Sequence, residues 1–234
     1  MNVLVVGNGQ MGKVLYQELI DTNTSVTIVP NLYTFPEGKF DVLIDFSHPD
    51  GLSTIIEFAR LNKLPAVIAT TGYSDAQLES IKGLSNDVPV LYSGNYSLGV
   101  ILMERLVREA ARVLGDAFDI EIIEKHHHHK IDAPSGTAKM LLAAANEERD
   151  YDVIYGRVGE CKRQNKEIAV HTIRGGSIVG EHEVLFAGPD EMLSIKHEAL
   201  SKKIFAKGAI KGATWLLLKP VGLYNMEDVL FGIE

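Results

Sequence analysis

Val3-Leu4-Val5-Val6-Gly7-Asn8-Gly9-Gln10-Met11-Gly12 stands at the head of the sequence. Its four consecutive apolar residues read as a strand buried on both faces, and three glycines follow at GxGxxG spacing. Met11, Val14, Leu15 and Leu19 then recur at helical period, so the stretch is strand, turn and helix. Gly7 permits the tight turn, Gly9 lets a pyrophosphate approach the backbone, and Gly12 lets the helix pack closely on the strand. The N-terminus of that helix offers unpaired N–H groups and a partial positive charge to phosphates. A glycine turn that serves packing alone is the bland alternative, but the flanking pattern favours dinucleotide binding.

Outward from that turn the alternation continues. Strands are expected at Ser25 to Val29, Asp41 to Phe46, Ala66 to Thr70 and Pro89 to Tyr92, with helices at Asp50 to Leu61 and Asp75 to Lys82. Apolar strands alternating with helices imply a parallel sheet covered on both faces. The connection Asn31 to Phe40 has no helical period, so the usual crossover helix is missing there. After Asn95 the character changes. A long amphipathic helix, Leu98 to Val113, precedes a strand, Ile120 to Glu124, a histidine-rich stretch and a helix from Gly136 to Asn146. Three strand-like runs follow without intervening helices: Glu167 to Thr172, Glu181 to Ala187 and Glu191 to His197. Such neighbours usually pair antiparallel. A last helical segment spans Lys203 to Leu218. The expected organisation is a nucleotide-binding domain over residues 1–96, an inserted α+β domain over 97–207, and a return to the first domain over 208–234.

The formal charge of −8, from 31 acidic against 23 basic residues, argues against a broad nucleic-acid or anionic-membrane surface. An anionic ligand must therefore be held locally. The one cysteine, Cys161, has no internal partner for a disulfide, which fits a reducing compartment. The apolar run at Val3 is too short for a signal-peptide core, and nothing approaches the roughly 18 apolar residues of a membrane span. A cytoplasmic protein is expected.

Glu124-Lys125-His126-His127-His128-His129-Lys130-Ile131-Asp132-Ala133-Pro134-Ser135-Gly136-Thr137-Ala138 is the most informative stretch for chemistry. Ser135 is placed as an N-cap, with the N–H groups of Gly136 and Thr137 in the first helical turn, which makes an anion site. Lys130 adds a positive charge, and imidazoles donate protons near neutral pH. Together they suit a small carboxylate-bearing substrate that must also be protonated. In extended backbone, His126 and His128 would face away from His127 and His129. A solvated loop and an adventitious metal site are the competing readings, but no HExxH or CxxC spacing is present, and no metal is expected.

At these residues the sequence resembles the dihydrodipicolinate reductase family, whose marker joins a His-His pair, a lysine and a DAPSGTA segment, here His126-His127, Lys130 and Asp132 to Ala138. Further blocks resemble the family in order: Asp45-Phe46-Ser47-His48-Pro49, Ala69-Thr70-Thr71-Gly72, Ser93-Gly94-Asn95-Tyr96-Ser97, Arg174 through Gly180-Glu181-His182, and Gly222-Leu223-Tyr224-Asn225-Met226. The resemblance implies a Rossmann-like α/β domain with an inserted α+β domain for substrate binding and oligomerisation. It also implies an NAD(P)H-dependent oxidoreductase of diaminopimelate and lysine biosynthesis, acting on a small dicarboxylic cyclic imine and assembled as a homotetramer.

By resemblance, His126 is the general acid and Lys130 assists proton delivery and binds substrate, while His127, Ser135, Gly136 and Thr137 hold substrate carboxylates. Gly7, Asn8, Gly9, Gln10, Met11 and Gly12 cradle pyrophosphate, with Lys13 close by. Thr70, Thr71 and Gly72 lie near the nicotinamide ribose, and Ser93, Asn95 and Tyr96 hold the carboxamide and flank the ring. The second strand ends Val29-Pro30-Asn31, without the carboxylate that selects NAD and without an arginine for a 2′-phosphate. Use of both NADH and NADPH, leaning to NADPH, is expected. Three departures from the family stand out: the short 31–40 connection, Tyr96 where phenylalanine is frequent, and Ala69 where glycine is common. Three other readings compete: another two-domain amino-acid dehydrogenase, a non-catalytic dinucleotide sensor and a metal-dependent hydrolase.

Overall fold

The computed structural model describes residues 1–232, which form two compact units: Met1–Leu98 with the chain from Lys202 on, and Gly99–Ser201. In chain order the first unit contains β1 (Asn2–Val6), α1 (Gln10–Asp21), β2 (Ser25–Val29), β3 (Val42–Asp45), α2 (Leu52–Leu61), β4 (Ala66–Ile68), α3 (Asp75–Leu84) and β5 (Pro89–Tyr92). Next come α4 (Leu98–Leu114), β6 (Asp119–His126), α5 (Gly136–Asn146), β7 (Asp152–Tyr155), β8 (Glu167–Arg174), β9 (Glu181–Ala187) and β10 (Met192–Glu198), which build the second unit. The chain returns to the first with α6 (Lys203–Leu216), β11 (Gly222–Tyr224) and α7 (Met226–Phe231). The return falls at Lys202 rather than at 208, because α6 packs along α1, β3, β4 and β5.

The first unit is an all-parallel sheet in the order β11-β5-β4-β3-β1-β2. Val3 to Val6 are at most 1% exposed, as a strand covered on both faces requires. Strand order reverses beside β1, so the loops leaving the carboxyl ends of β1 and β3 open a crevice there. The glycine turn is sterically closed. Gly7 sits at φ +103° with no room for a Cβ beside Phe46 O, and a Cβ on Gly12 would lie 1.8 Å from Gly7 O. As expected, residues 31–40 form no helix.

In the second unit the order is β10-β9-β6-β8-β7, with β6 at the centre. The antiparallel expectation holds for β9 with β10 but not for β8. Instead β8 lies on the other side of β6, parallel both to it and to β7, a short edge strand that the sequence reading lacked. The apolar alternation of β6, β8 and β9 turns Ile120, Ile122, Ile168, Val170, Val184 and Phe186 toward α4 and α5. On β6 the same period of two carries Glu124 and His126 to the buried face, just beyond the apolar stack. The strand runs two residues past its expected end, to His126. Beyond it the chain turns, with Lys130 N–H donating to His127 O, and the rings of His128 and His129 lie 3.9 Å apart. The expected alternation of all four histidines therefore stops at His126, where extended backbone ends.

Candidate active site

Within the first unit a cavity of about 1040 Å³ lies at the carboxyl ends of β1, β3, β4 and β5, a volume that accommodates a cofactor-sized ligand. Of the residues expected around a dinucleotide, Gly9, Gln10, Met11, Thr70, Thr71, Gly72, Ser93, Asn95 and Tyr96 line it. Gly7 and Gly12 shape the turn from beneath, and Asn8 and Lys13 are exposed outside the lining. Gly9 is the N-cap of helix α1 and offers no side-chain cap, and the first turn holds no acid, so its N–H groups remain available to an anion. A Cβ on Gly9 would point into open space, the room that an approaching phosphate needs.

Beside this cavity stand residues to which the sequence assigned no role. Asp45, at the end of β3 and fully buried, accepts hydrogen bonds from Ser47 N–H at 2.9 Å, Ser47 Oγ–H at 2.5 Å and Tyr73 O–H at 3.1 Å. Burial raises its pKa against those bonds. The carboxyl thus ties the loop after β3 to the loop after β4. Lys202 donates to Gln10 Oε1 at 2.7 Å, which brings a cation to the glycine turn, and Phe205 joins the lining. Tyr96 is 3% exposed and its hydroxyl lies 2.9 Å from Ile68 O and 3.1 Å from Leu91 O, so this ring is anchored in the sheet end.

Glu124 is the centre of the second unit's site. It is fully buried and faces His182 and Thr172 across the register of β9 and β8. Arg174 grips it with both terminal nitrogens at 2.8 Å, Ser135 N–H donates at 2.9 Å and Thr172 Oγ–H at 3.3 Å, and His126 Nδ1 lies 2.6 Å away. Burial pushes the Glu124 carboxyl up, but Arg174, His126 and Ser135 outweigh it and hold its pKa below the usual value. Burial lowers His126, with Lys130 and Arg174 adding to that, while Glu124 opposes.

Ser135 caps α5 through Ala138 N–H at 3.1 Å and also meets His182 Nε2 at 3.0 Å, leaving Gly136 exposed and Thr137 half-buried at the helix start. Burial, helped by His126, pushes His182 down to about 4. Lys130 pairs with Asp132 at 2.8 Å, and Arg174 donates to Asp132 O at 2.6 Å, which pins the loop before α5. His127 is half-buried beside this loop, its ring 6.3 Å from that of His129. The structure therefore gathers His126, Ser135 and the α5 N-terminus around Glu124. Glu124, Arg174 and His182 received no role from the sequence, although Glu124-x-His126 inside a strand is the spacing that shares a face.

Among the described residues, Glu124, His126 and His182 form one cluster with ligand-type atoms within 4.8 Å of one another. That donor set does not fit a metal, because the Arg174 guanidinium already occupies both Glu124 oxygens and would confront the cation. No helix among the described residues is long and apolar enough to cross a membrane.

Comparison with known proteins supplies the lineage. The chain matches the family models described as dihydrodipicolinate reductase, N-terminus, over residues 20–96 and dihydrodipicolinate reductase, C-terminus, over residues 99–230. It is 44% identical to the 4-hydroxy-tetrahydrodipicolinate reductase of Exiguobacterium sibiricum over 239 residues, covering 98% of this chain and 96% of that one. With the enzyme of that name from Brachyspira hyodysenteriae it shares 44% identity, covering 98% and 100%. Among solved structures, a dipicolinate-bound dihydrodipicolinate reductase from Paenisporosarcina sp. TG-14 matches with TM-score 0.75 at 23% identity, over 96% of this chain and 97% of that one. That last likeness is one of fold.

Proposed function

The chain belongs to the dihydrodipicolinate reductase family, and on that premise we propose how its residues divide the work of the reaction. It is an oxidoreductase of diaminopimelate and lysine biosynthesis that uses a nicotinamide dinucleotide to convert 4-hydroxy-tetrahydrodipicolinate to tetrahydrodipicolinate. The balance requires that the hydroxyl leave with a neighbouring ring proton as water, and that the conjugated system so formed take up one hydride and one proton. When bound, the reduced nicotinamide supplies the hydride to a ring carbon of the substrate.

The chain's own residues do the rest. Gly7, Asn8, Gly9, Gln10, Met11 and Gly12 hold the pyrophosphate against the uncapped start of α1, with Lys13 nearby. Thr70, Thr71 and Gly72 take the ribose and ring, and Ser93, Asn95 and Tyr96 the carboxamide side. His126 delivers the proton, and Lys130 assists it and binds substrate. His127 and the Ser135, Gly136 and Thr137 start of α5 hold the carboxylates, with Ser135 also aiming the helix through its cap. No acidic residue follows Val29 at the end of β2, so both NADH and NADPH serve, with NADPH favoured. We further infer a cytoplasmic homotetramer joined through the second unit's sheet. Its face away from α4 and α5 carries the incompletely buried Ile123, Ile173 and Leu185.

One observation carries this reading: an imidazole bonded to a buried carboxylate beside a helix N-terminus, a proton donor next to an anion site. A steady-state assay with freshly generated substrate, run with each cofactor, tests it. His126→Ala is expected to lower kcat at least about 100-fold with a smaller change in KM, since general acids contribute roughly 10²–10⁴-fold. Lys130→Ala damages both constants. Wild-type turnover in both variants, or NADPH binding without oxidation, would refute the assignment.

A further inference from the structure

Nothing in the reaction itself says which imidazole nitrogen of His126 carries the proton to the substrate. The hydrogen bonds around Glu124 answer that. Arg174 donates to both carboxylate oxygens, Ser135 N–H and Thr172 Oγ–H add to Oε1, and no proton is needed on the carboxyl to satisfy any of them. An ionised carboxylate only accepts. At 2.6 Å from Glu124 Oε2, His126 Nδ1 must therefore be the donor, and the ring's other nitrogen is left for chemistry. That nitrogen, Nε2, faces Gly180, where a Cβ would lie 3.0 Å away.

We propose that Glu124 is the positioning residue of this enzyme: it holds His126 as the Nδ1–H tautomer with Nε2 as the proton-delivering atom, and through Ser135 N–H it fixes the start of α5 to the same carboxylate. The cycle balances without a ring flip. The imidazolium carries a proton on each nitrogen, gives the Nε2 proton to the conjugated partner of the carbon that accepts the hydride, and returns to the neutral Nδ1–H form; a proton from solvent restores Nε2. Glu124 also stabilises the imidazolium, opposing burial and the charges of Lys130 and Arg174. His182 and Asp132 are the other titratable groups facing this cluster, and His182 is too low to be charged near neutrality.

This inference rests on the reading of His126 as the acid, and the experiment separates the two. On the wild-type protein, ¹⁵N shifts of the His126 ring above its pKa are expected to show a protonated Nδ1 and a pyridine-like Nε2. An Nε2–H tautomer overturns the proposal whatever the kinetics give. In Glu124→Gln the His126 titration and the basic limb of the kcat profile are both expected to move to lower pH by about one unit or more, with kcat at neutral pH reduced at least about tenfold. Glu124→Asp should restore part of that shift. An unmoved titration in a folded Glu124→Gln protein sinks the positioning role. A moved titration with unchanged turnover sinks instead the assignment of His126 as the acid. Should the variant fail to fold, the wild-type tautomer still decides.

Discussion

Lowering the pH should unlock the second unit through His182, and the size of the effect follows from its surroundings. The ring is 4% exposed, lies against Ser135 Oγ at 3.0 Å, and is pushed by burial down to about 4. In the unfolded chain a histidine titrates near its ordinary value, about 6.5. Between those two values the unfolded state binds one proton more than the folded state at this position, so stability falls as pH falls. Full stability is present above about 6.5, the loss runs at roughly 1.4 kcal/mol per pH unit, and it reaches on the order of 3 kcal/mol near pH 4. Against the 5–15 kcal/mol typical of a domain, that is a large share.

Glu124 complicates a simple pH scan. Its lowered carboxyl also withdraws stability once the pH drops below the ordinary carboxylate range. A difference measurement removes this. His182→Gln keeps a polar group for Ser135 but does not titrate, whereas Glu124 is common to both proteins. The single tryptophan, Trp215, lies in α6 of the first unit and reports the wrong region. Amide exchange of Ile122 and Val184, on β6 and β9, reads the second unit directly. The stability of wild type minus that of the variant should fall by about 3 kcal/mol from about pH 7.5 to about pH 4. A difference that stays flat across that range would refute the argument.

Two further outcomes test the first unit. Gly12→Ala places a Cβ 1.8 Å from Gly7 O, a backbone atom, so the turn must open. A loss of NADPH affinity of about 5- to 150-fold, read by fluorescence titration, is expected from the 1–3 kcal/mol that such overpacking typically costs. Tyr96→Phe strips the hydroxyl that bonds Ile68 O and Leu91 O, and the folded state should lose about 1–2 kcal/mol in a chemical-denaturation curve followed at Trp215.

Where local chemistry dictates an element, the sequence shows it directly. Ser25–Val29, Pro89–Tyr92, Gly136–Asn146 and Glu181–Ala187 have the bounds that their turns, caps and alternation announce. Elements made by tertiary pairing are not visible in the same way. β7 and β11 are short strands at sheet edges with no fully buried residue, so no buried apolar run marks them. Helix α7 carries a local signal of its own, the Asn225–Asp228 capping box. Neighbouring runs suggested an antiparallel β8–β9 pair, but β6 lies between them, and no local feature of β8 says which strand it will join. In the cavity, the glycine turn was legible from its spacing. The roles of Asp45 and Lys202 were not, because Tyr73 and Gln10, which they bond, are brought near only by the fold.

The second site shows why partners are harder to read than elements. One alternation along β6 sends Ile120 and Ile122 into the core and, continued two residues at a time, carries Glu124 and His126 to the same side. A carboxylate delivered there without a counter-charge would cost several kcal/mol, so a cation had to be recruited for the unit to fold. Arg174 answers from 50 residues away, placed by the parallel register that sets it opposite His126. The parts that aim the proton donor are thus the parts that make its burial tolerable. Removing Arg174 should then harm folding before it harms catalysis, whereas removing His126 should do the reverse.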